Sequence, residues 1–220
     1  RSMKHEGILW YHEIFQSIQG EGVDAGKPCT FVRLYGCNMK CAYCDQPQTQ
    51  KDRKKASIET IVREVQRAGI PYVCITGGEP LIQWNSVYPL VLELNAMGYK
   101  VAIETNGCCP IESDPYNRSF KYIMDIKCPS SGVHKHNILD NMMNLQAKDE
   151  VVFVISDRKD YNFAKKVIAQ YPTEATLVFS PCFDDDWEPI ISDELIQWLI
   201  EDKLFNVRVS VQMHKCLGVQ

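Results

Sequence analysis

Three cysteines lie within eight residues, in the segment Cys37-Asn-Met-Lys-Cys41-Ala-Tyr-Cys44. Thiolates at this spacing can bind three irons of a four-iron cluster, because each iron needs one ligand besides three bridging sulfides. The fourth iron keeps an open coordination site, as a catalytic metal centre requires, which could accept the amino and carboxylate groups of a small cofactor. A structural zinc site would instead need a fourth protein ligand, which His214 or another cysteine could supply.

Two adjacent glycines form a second candidate site, in Thr76-Gly77-Gly78-Glu79-Pro80. Glycine lets a ligand approach the backbone closely, and the exposed amides and carbonyls can pair with a zwitterionic amino acid. A plain turn after a strand is the alternative interpretation. Both this segment and the cysteine cluster follow predicted strands, and functional loops of parallel α/β folds gather at the carboxyl ends of strands. We therefore predict that the two loops share one site.

The other seven cysteines are scattered, and ten cysteines without a secretion signal favour metal binding or redox chemistry over disulfides. Isolated free cysteine packs well as a small hydrophobic residue, which is the role expected for this group. Its members are Cys29, Cys74, Cys108, Cys109, Cys128, Cys182 and Cys216. Cys108 and Cys109 are adjacent and could ligate a metal, but no second spaced cluster supports that role.

Strands and helices alternate along the chain. The predicted strands are Cys29–Tyr35, Tyr72–Thr76, Lys100–Glu104, Tyr122–Lys127, Glu150–Ile155, Thr176–Ser180 and Asn206–Val211. The predicted helices are Ser57–Ala68, Val87–Met97, Tyr161–Tyr171 and Asp193–Lys203. This alternation predicts right-handed crossovers and an α/β fold of six to seven mostly parallel strands.

The length of 220 residues predicts one domain over residues 1–220 and favours a partial (βα) barrel, because a closed eight-unit barrel needs about 250 residues. The segment between Glu104 and Tyr122 is rich in Pro, Asn, Ser and Gly, so one crossover is predicted to lack its helix. Arg1 and Ser2 precede Met3 and are interpreted as the remnant of an expression tag.

Charge and hydropathy exclude several classes of function. The formal charge is −4 and no long basic run is present, so binding to nucleic acid is not expected. The sequence has no apolar stretch of about 18 residues and no apolar leader, so we expect no membrane contact and a cytoplasmic location.

The cysteine spacing with an aromatic residue before the third cysteine resembles the signature of the radical S-adenosylmethionine superfamily. The Gly-Gly-Glu segment resembles the motif that holds the methionine amino group of the cofactor in that superfamily. The resemblance implies a partial barrel of that type, with a 4Fe-4S cluster on Cys37, Cys41 and Cys44 and with S-adenosylmethionine as cofactor. The cofactor contacts that it implies near these motifs are Tyr43, Asp45, Gly78 and Glu79.

Further motifs are similar to the 7-carboxy-7-deazaguanine synthase family, over about Ile14 to Gln220. They are Phe15–Gly22, Phe31–Leu34, Cys44-Asp45 and Gln212–Lys215. Enzymes of this family convert 6-carboxy-5,6,7,8-tetrahydropterin to 7-carboxy-7-deazaguanine by ring contraction with loss of ammonia, toward queuosine and related deazapurines. The resemblance also implies a homodimer and a one-electron donor such as flavodoxin or ferredoxin.

The family resemblance assigns roles to individual residues. Arg33 would pair with the substrate carboxylate, for which the guanidinium fork is suited. The other implied substrate contacts are Ile18, Gln19, Gly20, Thr76, His214 and Gln220. Further cofactor contacts are implied for Asp125, Ile126, Lys127, Ser180, Pro181, Cys182 and Phe183, although only Lys127 and Pro181 match the usual Ser-Pro-Lys and Gln-Pro motifs. No residue is assigned as a catalytic acid or base.

Gln46 departs from the family pattern, which has Thr or Ser after Cys-Asp to help hold a magnesium ion. Magnesium prefers small oxygen ligands in octahedral geometry, and a longer amide can ligate it only if the loop moves back. Four alternatives stay open: direct ligation by Gln46, ligation through water, replacement by a residue such as Thr49, or a reaction without magnesium.

Two other functions remain possible at this stage. One is a radical activase or modifying enzyme that uses the same cluster on another substrate. The other is a non-catalytic zinc-binding module that binds a partner.

Overall fold

A computed structural model describes residues 7–44, 46, 51–113, 118–184, 186 and 188–220. The predictions for Arg1, Ser2, Asp45 and Thr49 lie outside these ranges.

Within the described ranges, nine strands form one open sheet in the order β3-β1-β2-β4-β5-β6-β7-β8-β9. Their bounds are β1 Ile8–Ile18, β2 Pro28–Leu34, β3 Lys54–Ser57, β4 Tyr72–Gly77, β5 Lys100–Thr105, β6 Lys121–Ile126, β7 Glu150–Ile155, β8 Thr176–Pro181 and β9 Val207–Val209. The seven strands from β2 to β9 in this order pair in parallel, which confirms the predicted parallel sheet.

Four of the five α-helices in the described ranges have buried apolar residues at helical spacing, and the short last one has none. The helices are α1 Ile58–Ala68, α2 Trp84–Ala96, α3 Arg158–Gln170, α4 Ser192–Glu201 and α5 Met213–Leu217. Ser57 caps α1, since its hydroxyl accepts a hydrogen bond from the Thr60 amide at 3.3 Å, and the left-handed Gly69 ends the helix. Ile61, Val65, Leu90 and Leu94 are fully buried in the main core. None of the helices in the described part of the chain is long and apolar enough to cross a membrane.

The structure adds two antiparallel strands, β1 and β3, that were not predicted. The segment of β1 contains the motif Phe15–Gly22, and its alternation is weak because both faces of β1 are half-buried. The ring of Phe15 stacks on that of Phe31 in β2, with 5.0 Å between the centroids. β1 and β2 thus form a hairpin, whose connection carries the residues from Gln19 to Lys27.

The crossover between β5 and β6 has no helix in the described residues 106–113 and 118–120, as predicted. The next crossover, from β6 to β7, also differs from a standard βαβ unit, because it contains only 3-10 helices. These are Pro129–Ser131, His134–His136 and Leu139–Asn144. A second crossover thus lacks an α-helix, in addition to the predicted one.

A cluster of charged side chains lies at the amino end of the sheet. Lys121 donates hydrogen bonds to Asp24 and, at 2.6 Å, to the buried Glu150. The other Glu150 oxygen accepts the Val23 amide at 3.0 Å, and Asp24 also pairs with Lys27 at 2.6 Å. Burial would lower the pKa of Lys121, but Glu150 and Asp24 outweigh it, so this pKa is raised. The cluster anchors the connection between β1 and β2, which carries Gln19.

Candidate active site

A cavity of about 270 Å³ opens at the carboxyl ends of the parallel strands. It collects most of the residues to which the sequence assigns a role. Those on its wall are Ile18, Gln19, Gly20, Arg33, Cys37, Cys41, Tyr43, Cys44, Gln46, Thr76, Gly78, Asp125, Lys127, Cys182, Phe183, His214 and Gln220. The cysteine loop and the glycine turn, which are about 40 residues apart in sequence, thus share one site, as the strand topology requires.

Four predicted cofactor residues do not line this cavity: Glu79, Ile126, Ser180 and Pro181. The Glu79 carboxylate is fully buried and accepts three hydrogen bonds. The donors are the amide of Leu81 at 2.9 Å, the hydroxyl of Thr105 at 2.8 Å and the amide of Asn106 at 2.7 Å. Burial raises the pKa of Glu79 even though these hydrogen bonds oppose the shift. Its side chain therefore ties the glycine turn to the end of β5. Ile126, Ser180 and Pro181 are buried at the ends of β6 and β8.

The cysteine loop rests directly on the glycine turn. The Glu79 amide donates to the carbonyl of Gly36 at 2.8 Å, and the Gly78 amide donates to the carbonyl of Leu34 at 3.1 Å. A Cβ atom on Gly78 would overlap the Gly36 carbonyl, so only glycine permits this approach. The side-chain amide of Asn106 lies 3.6 Å from the sulfur of Cys37 and braces the same loop from β5.

The three thiols fit a multi-iron cluster better than a single ion. Within the described residues, no three His, Cys, Asp or Glu side chains are grouped closely enough to hold one metal ion. A tetrahedral zinc would bring its ligand sulfurs to about 3.8 Å from one another. In a four-iron cluster each thiolate binds a different iron, so the sulfurs are spread more widely around one cavity. Cys37, Cys41 and Cys44 all line the one cavity, as the three ligands of such a cluster would.

A charged pair and a phenol lie beside the cysteine loop. Lys127 donates to Asp125 at 2.5 Å. Burial would lower the pKa of Lys127, but the charges of Asp125 and Cys41 outweigh it and raise this pKa, so the amine stays protonated. The second oxygen of Asp125 and the hydroxyl of Tyr43 are buried and have no hydrogen-bond partner among the described residues. Because buried polar atoms are normally paired, these two atoms are suited to bind a polar ligand.

Glu104 also lines the cavity and was not predicted as a site residue. One of its oxygens accepts the Thr76 hydroxyl at 2.7 Å, and the other accepts the Gln19 amide at 3.1 Å. The Gln19 carbonyl oxygen in turn accepts the Gly20 amide at 2.8 Å. An acidic residue just before the end of a predicted strand, as in Lys100–Glu104, was the signal that could have identified Glu104.

Arg33 occupies the wall between β1 and the glycine turn. Its guanidinium donates from Nη1 to Glu13 at 2.6 Å and lies 4.6 Å from the centre of the Phe15 ring. Its Nε is buried and has no hydrogen-bond partner among the described residues. The cation therefore keeps donor capacity for an anion in the cavity.

The segment after β9 forms part of the wall as well. The amide of Met213 donates to the carbonyl of Gly20 at 2.7 Å, and a Cβ atom on Gly20 would overlap the imidazole of His214. A side chain at position 20 would therefore displace the His214 ring where the two segments cross. Further wall residues outside the predicted set are Phe15, Glu21, Phe31, Asn106 and Val154.

Cys108 and Cys109 follow β5 and do not line the cavity. Burial, together with the nearby Glu79, raises the pKa of Cys108 to about 12 and that of Cys109 to about 11. The sulfur of Cys108 contacts that of Met39 at 3.8 Å, and the Asn38 amide lies 3.8 Å from the sulfur of Cys109. Both are neutral thiols that pack beside the cysteine loop.

Comparison with known proteins first defines the class. The model of the radical SAM superfamily matches residues 31–113, which include the second half of β2, the cysteine loop and the glycine turn. The fold agrees: the crystal structure of QueE from Escherichia coli superposes with a TM-score of 0.73 over 94% of this chain and 95% of that chain, at 23% identity. This chain is a radical S-adenosylmethionine enzyme with an open, partial barrel.

Full-length relatives then identify the family. A 7-carboxy-7-deazaguanine synthase from Koribacter versatilis is 41% identical over 215 residues, which cover 92% of this chain and 94% of the relative. A protein of the same name from Methanospirillum hungatei is 38% identical, over 94% of this chain and 84% of the relative. The chain belongs to the 7-carboxy-7-deazaguanine synthase family. The predicted fold class and family are confirmed, and the zinc-module and activase hypotheses are not supported.

Proposed function

We propose that this protein converts 6-carboxy-5,6,7,8-tetrahydropterin to 7-carboxy-7-deazaguanine, with ring contraction and loss of ammonia, in the route to queuosine and related deazapurines. The observation that carries this proposal is the composition of the cavity. Its wall contains three thiols, a glycine turn, and Arg33 and Glu104 with the side chains that orient them. Such a cavity offers polar groups for a cofactor and for a small acidic heterocycle.

On the cofactor side, Cys37, Cys41 and Cys44 would hold a 4Fe-4S cluster. When bound, the cluster and S-adenosylmethionine supply one-electron chemistry that removes a hydrogen atom from the substrate. The backbone of Gly78 would pair with the methionine part of the cofactor, whereas the buried Glu79 carboxylate would act by holding that turn. The free oxygen of Asp125 and the hydroxyl of Tyr43 would bind polar groups of the nucleoside part.

On the substrate side, Arg33 would bind the carboxylate with the donors that Glu13 does not use. Glu104 suits the pyrimidine edge of a pterin, because its carboxylate can accept from the ring N–H and the amino group in parallel. Thr76 and Gln19 donate to Glu104 and so fix the plane of this carboxylate. Ile18, Gly20, His214 and Gln220 would complete the wall around the substrate. These residues position the reactants, and their contribution to the rate is proximity and orientation.

The use of magnesium depends on Gln46, which lines the cavity near Cys44. We expect its carbonyl oxygen to be a weaker ligand than a threonine hydroxyl, because the longer side chain must fold back from the ion. Wild-type protein should then respond less to added magnesium than the Gln46→Thr variant does. Equal responses of the two proteins would contradict this role for Gln46.

The reaction also needs partners, which are proposed from the family. A one-electron donor such as flavodoxin or ferredoxin would reduce the cluster, and the protein would act as a homodimer in the cytoplasm. Size-exclusion chromatography with light scattering, and turnover with each purified donor, test these two points.

An anaerobic assay tests the proposed function directly. Reduced protein is incubated with S-adenosylmethionine and the carboxytetrahydropterin, and products are identified by mass spectrometry. We expect 5′-deoxyadenosine and 7-carboxy-7-deazaguanine. 5′-Deoxyadenosine without any deazaguanine would keep the class of enzyme but reject the substrate.

A further inference from the structure

Glu13 joins two distant parts of the cavity wall. Its Oε1 accepts a hydrogen bond from Nη1 of Arg33 at 2.6 Å and another from the side-chain amide of Gln220 at 2.7 Å. Gln220 is 207 residues away in sequence, and both donors line the cavity. Glu13 itself is not among the lining residues, so it touches the site only through these two neighbours.

A β-bulge places Glu13 in this position. In the antiparallel pairing of β1 with β2, Tyr11 is opposite Leu34, and the register shifts before Glu13, which is opposite Arg33. If the register of Tyr11 and Leu34 continued without a bulge, His12 would lie opposite Arg33 and Glu13 opposite Val32. Bulges re-aim side chains near functional sites, and directly opposed residues of antiparallel strands share one face. The irregular backbone thus brings the carboxylate to the guanidinium.

The contact leaves the guanidinium ready for a ligand. Glu13 uses Nη1, the Phe15 ring covers one face, and Nε stays buried without a partner among the described residues. A guanidinium without a counter-charge in this nearly buried position would destabilise the folded protein, because it loses its hydration. A fixed negative charge is therefore needed when no substrate is bound. A carboxylate at one corner of the fork supplies this charge and leaves the other edge for bidentate binding.

We propose that Glu13 is a positioning residue that holds Arg33 and Gln220 in place for recognition of the substrate carboxylate. This inference rests on the proposed function, in which Arg33 binds that group. Glu13 touches neither substrate nor cofactor, and it acts by fixing the direction of the Arg33 donors and by tying Gln220 to the same point.

Selectivity for a carboxylated ligand provides the test. Oxidised holoenzyme with S-adenosylmethionine is titrated with 6-carboxypterin and with pterin, which lacks the carboxylate, and binding is followed by fluorescence. We expect wild type to bind 6-carboxypterin more tightly than pterin. Glu13→Ala should raise the dissociation constant of 6-carboxypterin about 10- to 100-fold, because a hydrogen bond to a charged group is lost. The affinity for pterin should change little. Glu13→Gln should lie between, because it keeps an acceptor oxygen but loses the charge.

Gln220→Ala should raise the dissociation constant of 6-carboxypterin by a smaller factor, because the Glu13–Arg33 pair remains. Glu93→Gln, on the exposed side of α2, is the matched control and should bind both ligands as wild type does. If Glu13→Ala raised the dissociation constants of both ligands by the same factor, Glu13 would have a general structural role and the inference would be overturned. An unchanged preference for 6-carboxypterin over pterin would also overturn it.

The outcomes separate the inference from the proposed function. Lost selectivity in Glu13→Ala supports the role of Glu13, even if the wild-type protein makes no deazaguanine in the turnover assay. Deazaguanine formation by wild type, together with unchanged selectivity in the variant, supports the function and refutes the inference. A wild-type protein without preference for the carboxylated ligand would refute the inference as well.

Discussion

The Lys121 cluster at the amino end of the sheet and the Arg33 and Asp125 pairs at the carboxyl end differ in how far their charged residues satisfy one another. At the amino end, Lys121 pairs with Asp24 and Glu150, and the second Glu150 oxygen accepts a backbone amide. At the carboxyl end, Arg33 and Asp125 each have one ion-pair partner but retain a buried atom that no described residue satisfies. In the Lys121 cluster the charged side chains satisfy one another and hold the β1–β2 connection in place, whereas Arg33 and Asp125 keep buried atoms that can bind a ligand.

The same contrast holds between two carboxylates at the carboxyl ends of neighbouring strands. Glu79 is buried and accepts three protein hydrogen bonds, whereas Glu104 accepts two and lines the cavity. Glu79 thus belongs with the saturated, structural group although it lies beside the site. Three substitutions test this difference between residues that stabilise the fold and residues that bind the cluster or its ligands.

The largest effect is expected for Cys41→Ala at the carboxyl end. Loss of one of three thiolates should abolish a stable 4Fe-4S cluster, so that iron, sulfide and visible absorbance fall to background and no 5′-deoxyadenosine forms. The midpoint of thermal unfolding of the metal-free protein should stay close to that of wild type. Cys216→Ala, at an exposed cysteine, is the control and should retain full iron content. A brown Cys41→Ala protein with normal iron content would contradict the assignment.

A stability effect of intermediate size is expected for Lys121→Met at the amino end. The change leaves Glu150, whose side chain is 1% exposed, without its cation. Removal of one partner from such a pair should lower the free energy of unfolding by about 3 kcal/mol, as measured by urea denaturation. Iron content per folded molecule should not change. A variant as stable as wild type would show that this cluster does not anchor the β1–β2 connection.

The smallest expected effect is a change in the pH dependence of the free energy of unfolding in Glu79→Gln. Burial raises the pKa of Glu79 above the usual 4.5, so the folded protein binds its proton more tightly than the unfolded chain does. The resulting stabilisation is complete below pH 4.5 and is lost as the pH rises through the raised pKa. The free energy of unfolding of wild type, relative to Glu79→Gln, should therefore fall with rising pH above 4.5. Urea denaturation at several pH values measures this difference, and an increase would contradict the direction of the shift.

Much of the fold was predictable because its signals are local. The seven parallel strands and the first four helices have strong periodicity, and their alternation fixes the end of the sheet at which the cysteine loop and the glycine turn meet. β1 was missed because its two half-buried faces weaken the alternation that identifies a strand. The three 3-10 helices between β6 and β7 were not predicted, because such short helices have no apolar period that marks them.

The site was predictable only where a motif marks a residue. Cys37, Cys41 and Cys44 belong to a dense pattern, and the cavity brings them together. The different environments of Glu79 and Glu104 depend on which neighbouring donors reach each carboxylate, and no spacing in the sequence encodes that. The contact of Glu13 with Arg33 and Gln220 depends on a register shift and on residues 207 positions apart.

The hydrogen bond from Met213 to Gly20 has a consequence for the order of assembly. The ribosome makes the cysteine loop early, whereas α5 and His214 emerge only after every strand of the sheet. Until then the cavity lacks the part of its wall that His214 and Lys215 supply. The pterin-binding side is therefore completed only after the chain has been made through α5.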